Sequence, residues 1–194
     1  MVLNPRGRHY RELKTYMDSN FEDAYYDEDA IYMERNSRDF QPRIRIIDIN
    51  TEAVCDFLRS RSVAGGAESA VIKEVFYPKY ITREHYEHCR TKPNSGGKDS
   101  KASAGGFGGL FSVTFTSDVA SHTFFDALSC YKGPSLGTNF TLACPYTILA
   151  HFTELDWAAQ CGVETGLVRV SVGMEDTKVL LKWFETALKA AEAV

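Results

Sequence analysis

The sequence predicts an α+β domain, an open sheet of a few strands with helices packed on one face, preceded by a helical arm. Three observations carry this. "AVIKEVFYP", "GGLFSVTFTS" and "GLVRVSVG" alternate apolar and polar residues, the period of half-buried strands. "HYRELKTYMDSNF", the span 31–60 and "EDTKVLLKWFETALKAA" instead repeat apolar residues at steps of three and four, the period of amphipathic helices. From residue 44 the order is helix, strand, strand, helix, loop, strand, helix, with no internal repeat, which suits a sheet covered on one side.

Taken in order, "MVLNP" reads as a short strand stopped by Pro5. Tyr10, Leu13, Met17 and Phe21 define the first helix. "EDAYYDEDA" is acidic and aromatic and reads as a loop or helix entry. The span 31–60 carries one long helical pattern through Ile44, Ile47, Ala53, Val54, Phe57 and Leu58, and Pro42 inside it must kink or break the helix. "SVAGGAES" is a turn. The next strand is expected to put Val71, Val75 and Tyr77 on one face and to stop at Pro78. "ITREHYEHCR" is a short helix or turn. Residues 91–106 are rich in Ser, Gly and Lys and predict a mobile surface loop. In "GGLFSVTFTS", Phe111, Val113 and Phe115 face one way, and in "DVASHTFFDALS" Phe124, Phe125 and Leu128 turn inward. "KGPSLGTNFTLACPY" mixes glycine, proline and hydroxyl residues; it is too polar for a core strand and too apolar for a solvated loop. "YTILAHFTELDWAAQCGV" is helix or loop. Glu175 and Asp176 put negative charge at the start of the terminal helix, where the helix dipole favours it.

The chain has 194 residues, 44% of them hydrophobic and 25% charged, enough for a packed domain. Twenty-two Lys and Arg against 26 Asp and Glu leave a net charge of −4, so nucleic-acid binding is not expected. No apolar run is long enough to span a bilayer, and "MVLNPRGRHY" lacks the apolar core of a signal peptide. Five widely spaced cysteines (Cys55, Cys89, Cys130, Cys144, Cys161), with no CxxC pair, read as free thiols in a reducing, cytoplasmic setting.

Among the polar residues, Arg169 stands out. Val168, Val170 and Val172 share one face of their strand and belong on the helix-packed side. Leu167, Arg169 and Ser171 share the other, so Arg169 points from the open side of a rigid element. A guanidinium there is suited to grip a carboxylate with two parallel hydrogen bonds. The ordinary alternative is a solvated or structurally paired arginine. "GGFGG" (Gly105–Gly109) precedes a strand, whereas a phosphate cradle follows one, so chain flexibility is its expected role. His85, His88 and Cys89 have helical spacing but lack a fourth metal ligand and read as surface residues. Arg35, Arg38, Arg43 and Arg45 neighbour Asp23, Asp27, Glu28, Asp29 and Glu34, which predicts local ion pairing. Ser135, His151 and Asp156 could be assembled into a nucleophilic triad, but no nucleophile elbow accompanies them.

"GPSLGTNFTLACPY", followed about twenty residues later by "GLVRVSVGMED" and an amphipathic helix, resembles the C-terminal part of cystathionine gamma-synthase-like enzymes of the Cys/Met-metabolism family. "VLNP" with a helix after it, "IYMERNSRDF", "VFYPKY" and "GGFGGLFS" also look like this branch, in order, so the resemblance covers nearly the whole chain. It implies a fold-type I enzyme dependent on pyridoxal 5'-phosphate. Residues 1–40 would end the large cofactor domain with a strand and helix arm. Residues 41–194 would form the small C-terminal domain, a mostly antiparallel open sheet. In such enzymes the serine of the "SLG" motif and the arginine of the "VR-S-G" strand help hold the substrate α-carboxylate, which carries over to Ser135 and Arg169 as substrate-binding residues. One departure is visible. Relatives place a Thr-His pair at a fixed distance from a proline, whereas "PYTILAHF" sets His151 one residue late without the threonine. No role is therefore carried to His151.

The resemblance also implies an absence. The Schiff-base lysine, the phosphate-binding residues, the aspartate that pairs with the pyridine nitrogen and the ring-stacking aromatic would all precede residue 1. The chain alone is then expected to supply no catalytic or cofactor-binding residue, and no metal site, and not to bind pyridoxal phosphate productively. The implied reaction of the full enzyme is γ-replacement on an O-acyl-homoserine by cysteine, in methionine biosynthesis. A cystathionine lyase of the same family is the neighbouring reading. A stand-alone interaction or regulatory module is the non-enzymatic one. Tyr10, Tyr16, Met17, Phe21, Tyr25 and Tyr26 would leave apolar surface uncovered, which favours a homo-oligomer or a missing N-terminal domain as partner.

Overall fold

The computed structural model describes residues 3–92 and 104–194, and most of the expected loop 91–106 lies outside the described residues. The chain divides into two units, Met1–Phe40 and Gln41–Val194.

The first unit is helical. Leu3–His9 is turn and coil rather than strand over the described residues. It is followed by α1 (Tyr10–Asn20) and α2 (Asp27–Ser37), neither of which buries a residue. Tyr16, Phe21, Tyr25, Tyr26, Ile31, Tyr32 and Met33 are all exposed, and Arg38 holds Glu34 through two parallel hydrogen bonds of 2.9 and 2.8 Å. The long helical pattern resolves into two helices, α2 and α3 (Phe40–Arg59), separated at Arg38 and Asp39. Pro42 therefore falls in the first turn of α3, where a missing N–H costs nothing, and the break lies before it.

The second unit is a five-stranded sheet with helices. After α3 come β1 (Ile72–Phe76), the short α4 (Arg83–Tyr86), β2 (Leu110–Phe115), α5 (Asp118–Ala127), β3 (Tyr131–Lys132), β4 (Leu142–Pro145), α6 (Tyr146–His151), α7 (Leu155–Gln160), β5 (Val168–Ser171) and α8 (Thr177–Glu192). The strand order is β1-β2-β5-β4-β3, antiparallel except for the parallel β3–β4 pair. The mostly antiparallel open sheet is thus present, with two strands more than the sequence reading assigned. The back of "KGPSLGTNFTLACPY" is β4, a central strand whose Leu142, Ala143 and Cys144 are buried. Four residues flanked by turn signals are too few to show a period of two.

Val168, Val170 and Val172 enter one core with Phe111 and Val113 of β2, Phe124 of α5, Leu180, Phe184 and Leu188 of α8, and Val54, Cys55 and Leu58 of α3. Around β1 the fully buried set is Ile72, Val75 and Tyr77, with Val71 partly buried against the same core, and the register shifts between Ile72 and Glu74. Phe125 is only half-buried and carries a different contact, described below. At α8 the expected dipole pair divides its work. Asp176 caps the helix by accepting from the amides of Lys178 and Val179, while Glu175 turns away to Thr141.

Candidate functional site

Arg169 sits in the middle of the sheet, paired across with Ser112 on β2 and Cys144 on β4. The alternation in β5 sends its side chain to the face opposite the valines, as the sequence requires. Its Nη2 donates a 2.6 Å hydrogen bond to the carbonyl of Pro134, the residue before Ser135. The guanidinium carbon lies over the ring of Tyr146, 4.7 Å from the ring centroid. The fold therefore brings Arg169 and the Ser135 loop together. Ser135 is exposed and its hydroxyl makes no hydrogen bond among the described residues.

The loop between β3 and β4 is pinned along its length. Ser171, two residues on from Arg169 and on the same face, accepts the N–H of Gly137 at 3.1 Å. Gly137 has φ +71, a left-handed conformation that glycine adopts without strain. Gly133 donates to Ala143 at 3.0 Å, and Asn139 accepts from the amide of Met174 at 2.8 Å. The Glu175 carboxylate takes the amide of Thr141 at 2.6 Å and its hydroxyl at 2.8 Å, and Thr141 Oγ1 accepts from Gly173 at 2.9 Å. A Cβ at Gly173 would stand 2.4 Å from the backbone of Phe140, so only glycine permits this approach. At the other end, Lys132 donates to the carbonyls of Phe125 and Leu128, the latter at 2.7 Å, and lies over the Phe125 ring. Burial pushes its amine below the ordinary lysine range.

Ser171 was legible as a neighbour of Arg169 from strand alternation, but not as an anchor of the loop. Tyr146 was missed altogether, because its position depends on the turn that leaves β4. Its amide donates to Leu167 at 3.1 Å, which ties that turn to the start of β5.

The other clusters resolve differently. The amides of Gly106 and Gly108 each donate at 3.1 Å to the Asp48 carboxylate of α3, so "GGFGG" is a structural clasp rather than slack chain. A Cβ at Gly106 would meet Asp48 at 2.3 Å. The "VFYPKY" segment is held to α3 through Lys79, which reaches Glu52 at 2.7 Å and Asp56 at 2.8 Å. His151 pairs with Glu154 at 2.8 Å, and none of its contacts is with Ser135 or Asp156. Cys89 donates to the Tyr86 carbonyl, and among the described residues no group of His, Cys, Asp or Glu is placed to hold a metal. Nor, among the described residues, is any helix long and apolar enough to cross a membrane.

The chain matches the crystal structure of cystathionine gamma synthase from Xanthomonas oryzae pv. oryzae in complex with cystathionine, with a TM-score of 0.62 at 25% identity, over 82% of this chain and 37% of that one. In sequence it is 65% identical over 194 residues to the cystathionine gamma-synthase-like enzyme iboG2 of Amanita muscaria, covering 99% of this chain and 31% of the relative. It is 44% identical over 192 residues to cystathionine gamma-synthase of Neurospora crassa, covering 98% of this chain and 28% of the relative. No family model matches. The chain is thus similar over its whole length to cystathionine gamma-synthase-like enzymes, and it spans about a third of the length of these relatives.

The family depends on pyridoxal phosphate. Among the described residues, three lysines of the second unit are engaged within the fold. Lys73 pairs with Glu164, Lys79 with Glu52 and Asp56, and Lys132 with the end of α5. The two amides placed most like an anion cradle already hold Asp48.

Proposed function

We propose that this chain supplies the substrate α-carboxylate clamp of a pyridoxal-phosphate-dependent transsulfuration enzyme of the cystathionine gamma-synthase type. The enzyme's reaction is the displacement of the acyl group of an O-acyl-homoserine by cysteine. The observation that carries the reading is the placement of Arg169, half-buried on a central strand, with one N–H on the Pro134 carbonyl beside Ser135. A guanidinium has five donors in one plane, and Pro134 takes one. The remaining edge can receive both oxygens of a carboxylate, with the Ser135 hydroxyl as a third donor. Fixing the carboxylate orients the amino acid about its Cα, which is the part of catalysis a clamp contributes. The residues that hold pyridoxal phosphate belong, on this reading, to the part of the relatives that the chain does not span.

The test is a titration of the chain with L-cysteine and L-cystathionine, and with cysteamine, which lacks the carboxylate. The wild type should prefer the carboxylates. Arg169→Ala should weaken them by about 10–100-fold, the weight of one or two charge-assisted hydrogen bonds, and leave cysteamine unchanged. Equal affinities in the wild type, or an unaffected Arg169→Ala variant, would overturn the reading.

A further inference from the structure

We propose that Tyr146 is a positioning residue for Arg169, its ring setting the plane in which the guanidinium presents its donors. The inference rests on the carboxylate-clamp reading above and adds a residue to it. Tyr146 opens α6 immediately after the last residue of β4, and its amide donates to Leu167, two residues before Arg169. Its ring is thereby carried next to the Arg169 side chain, with the guanidinium carbon 4.7 Å from the ring centroid. The ring has aromatic neighbours of its own. His151 meets it edge-on at 5.8 Å with an interplanar angle of 73°, Trp157 lies 6.0 Å from His151, and Glu154 holds His151 at 2.8 Å.

The geometry leaves the donors available. A guanidinium donates hydrogen bonds in its plane, and an aromatic ring covers a face. Pro134 fixes one N–H in the plane and Tyr146 restrains the plane itself. The edge that remains is therefore pre-aimed, and a carboxylate need not order a mobile side chain on binding. The ring also excludes water from one face, which strengthens the ion pair formed at the edge. The guanidinium carbon lies over the ring, so the effect is assigned to the π face and not to the phenol.

Two measurements on the 194-residue chain decide this. The first is the rate of rotation about the Arg169 Nε–Cζ bond, followed by nitrogen NMR of the guanidinium. Rotation should be slow in the wild type and in Tyr146→Phe, and faster in Tyr146→Ala. The second is affinity for L-cysteine against cysteamine. Tyr146→Ala should weaken L-cysteine about 3–10-fold, the scale of a partly shielded cation–π contact with its ordering, and leave cysteamine unchanged. Tyr146→Phe should restore wild-type affinity. If Tyr146→Ala does not give a dispersed NMR spectrum, Tyr146→Leu keeps apolar bulk without a π face, and the same changes are expected of it. Unchanged rotation in these variants overturns the proposal whatever the binding data show. Unchanged L-cysteine affinity in Tyr146→Ala, with Arg169→Ala still abolishing the carboxylate preference, overturns it while leaving the clamp standing. An Arg169→Ala variant that keeps the preference removes the clamp instead, and the inference that rests on it falls too.

Discussion

Arg169 owes its setting to its neighbours on either side along β5. Val168 and Val170 are buried in the core, which leaves the arginine no choice of face, and Ser171 then falls on the same face one step further along. Ser171 is a small acceptor that holds the Gly137 amide, and with Arg169 it fixes the Ser135 loop from below. Ser171→Ala is expected to cost about 1 kcal/mol in urea unfolding. It should also speed hydrogen exchange at the Gly137 amide, and a Ser171→Thr variant should restore protection. Gly173→Ala is expected to be worse, at about 1–3 kcal/mol, because the added methyl meets the Phe140 backbone at 2.4 Å and backbone cannot rotate aside. A Gly173→Ala variant as stable as the wild type would show that the loop is less tightly seated than its hydrogen bonds indicate.

At the scale of elements, α3 is tied to the sheet by polar side chains along its length, Asp48 and Asn50 among them. Asp48 receives the amides of Gly106 and Gly108 just before β2, while Asn50, two residues further on the same helix, donates to the Gly173 and Glu175 carbonyls. The helix thus fixes both the entry to β2 and the exit from β5, the two strands that flank and carry Arg169. Asp48→Ala removes the acceptor for two half-buried amides. It should destabilise the fold by about 2–3 kcal/mol in urea unfolding, whereas Asp48→Asn, which keeps one carbonyl oxygen, should cost about half as much. β4 belongs to this scale as well. Its four residues are held between β5 and β3, and their strand character comes from that pairing rather than from their own pattern.

For the whole molecule, the core contains groups that stay protonated when the chain is folded. Burial raises the Cys55 thiol well above its ordinary 9.0. Burial, followed by the negative charge of neighbouring acids, also raises the Tyr77 phenol from its ordinary 10.0. Both folded values lie above the unfolded ones, so the unfolded chain loses these protons first. Their contribution is fully present below about pH 8.5 and declines as pH rises through 9–10, with a slope approaching about 1.4 kcal/mol per pH unit for each group. Urea midpoints measured from pH 7 to 10.5 should be flat and then fall, and Tyr77→Phe should make the decline shallower. A molecule whose midpoint holds to pH 10.5 would contradict the burial of both groups. Pyridoxal phosphate titrated into the chain is expected to leave the urea midpoint unchanged, since a ligand bound to the folded state would raise it. Stoichiometric binding with a raised midpoint would show that the chain holds the cofactor unaided.

The sequence by itself determined which residues face inward in β2 and β5, because a period of two is enforced by burial on one side and can be read directly. It also determined that Arg169 leaves the core, and the motifs around Ser135 carried the likeness to cystathionine gamma-synthase-like enzymes. The tertiary structure decided what periodicity does not encode. It made Leu142–Pro145 a central strand, buried Ile72 beside Val71 at a register shift, and turned "GGFGG" into a clasp for Asp48. It also placed Tyr146 and the Pro134 carbonyl against Arg169 from segments 23 and 35 positions away. Each of these depends on a partner distant in sequence, and no local pattern can name that partner.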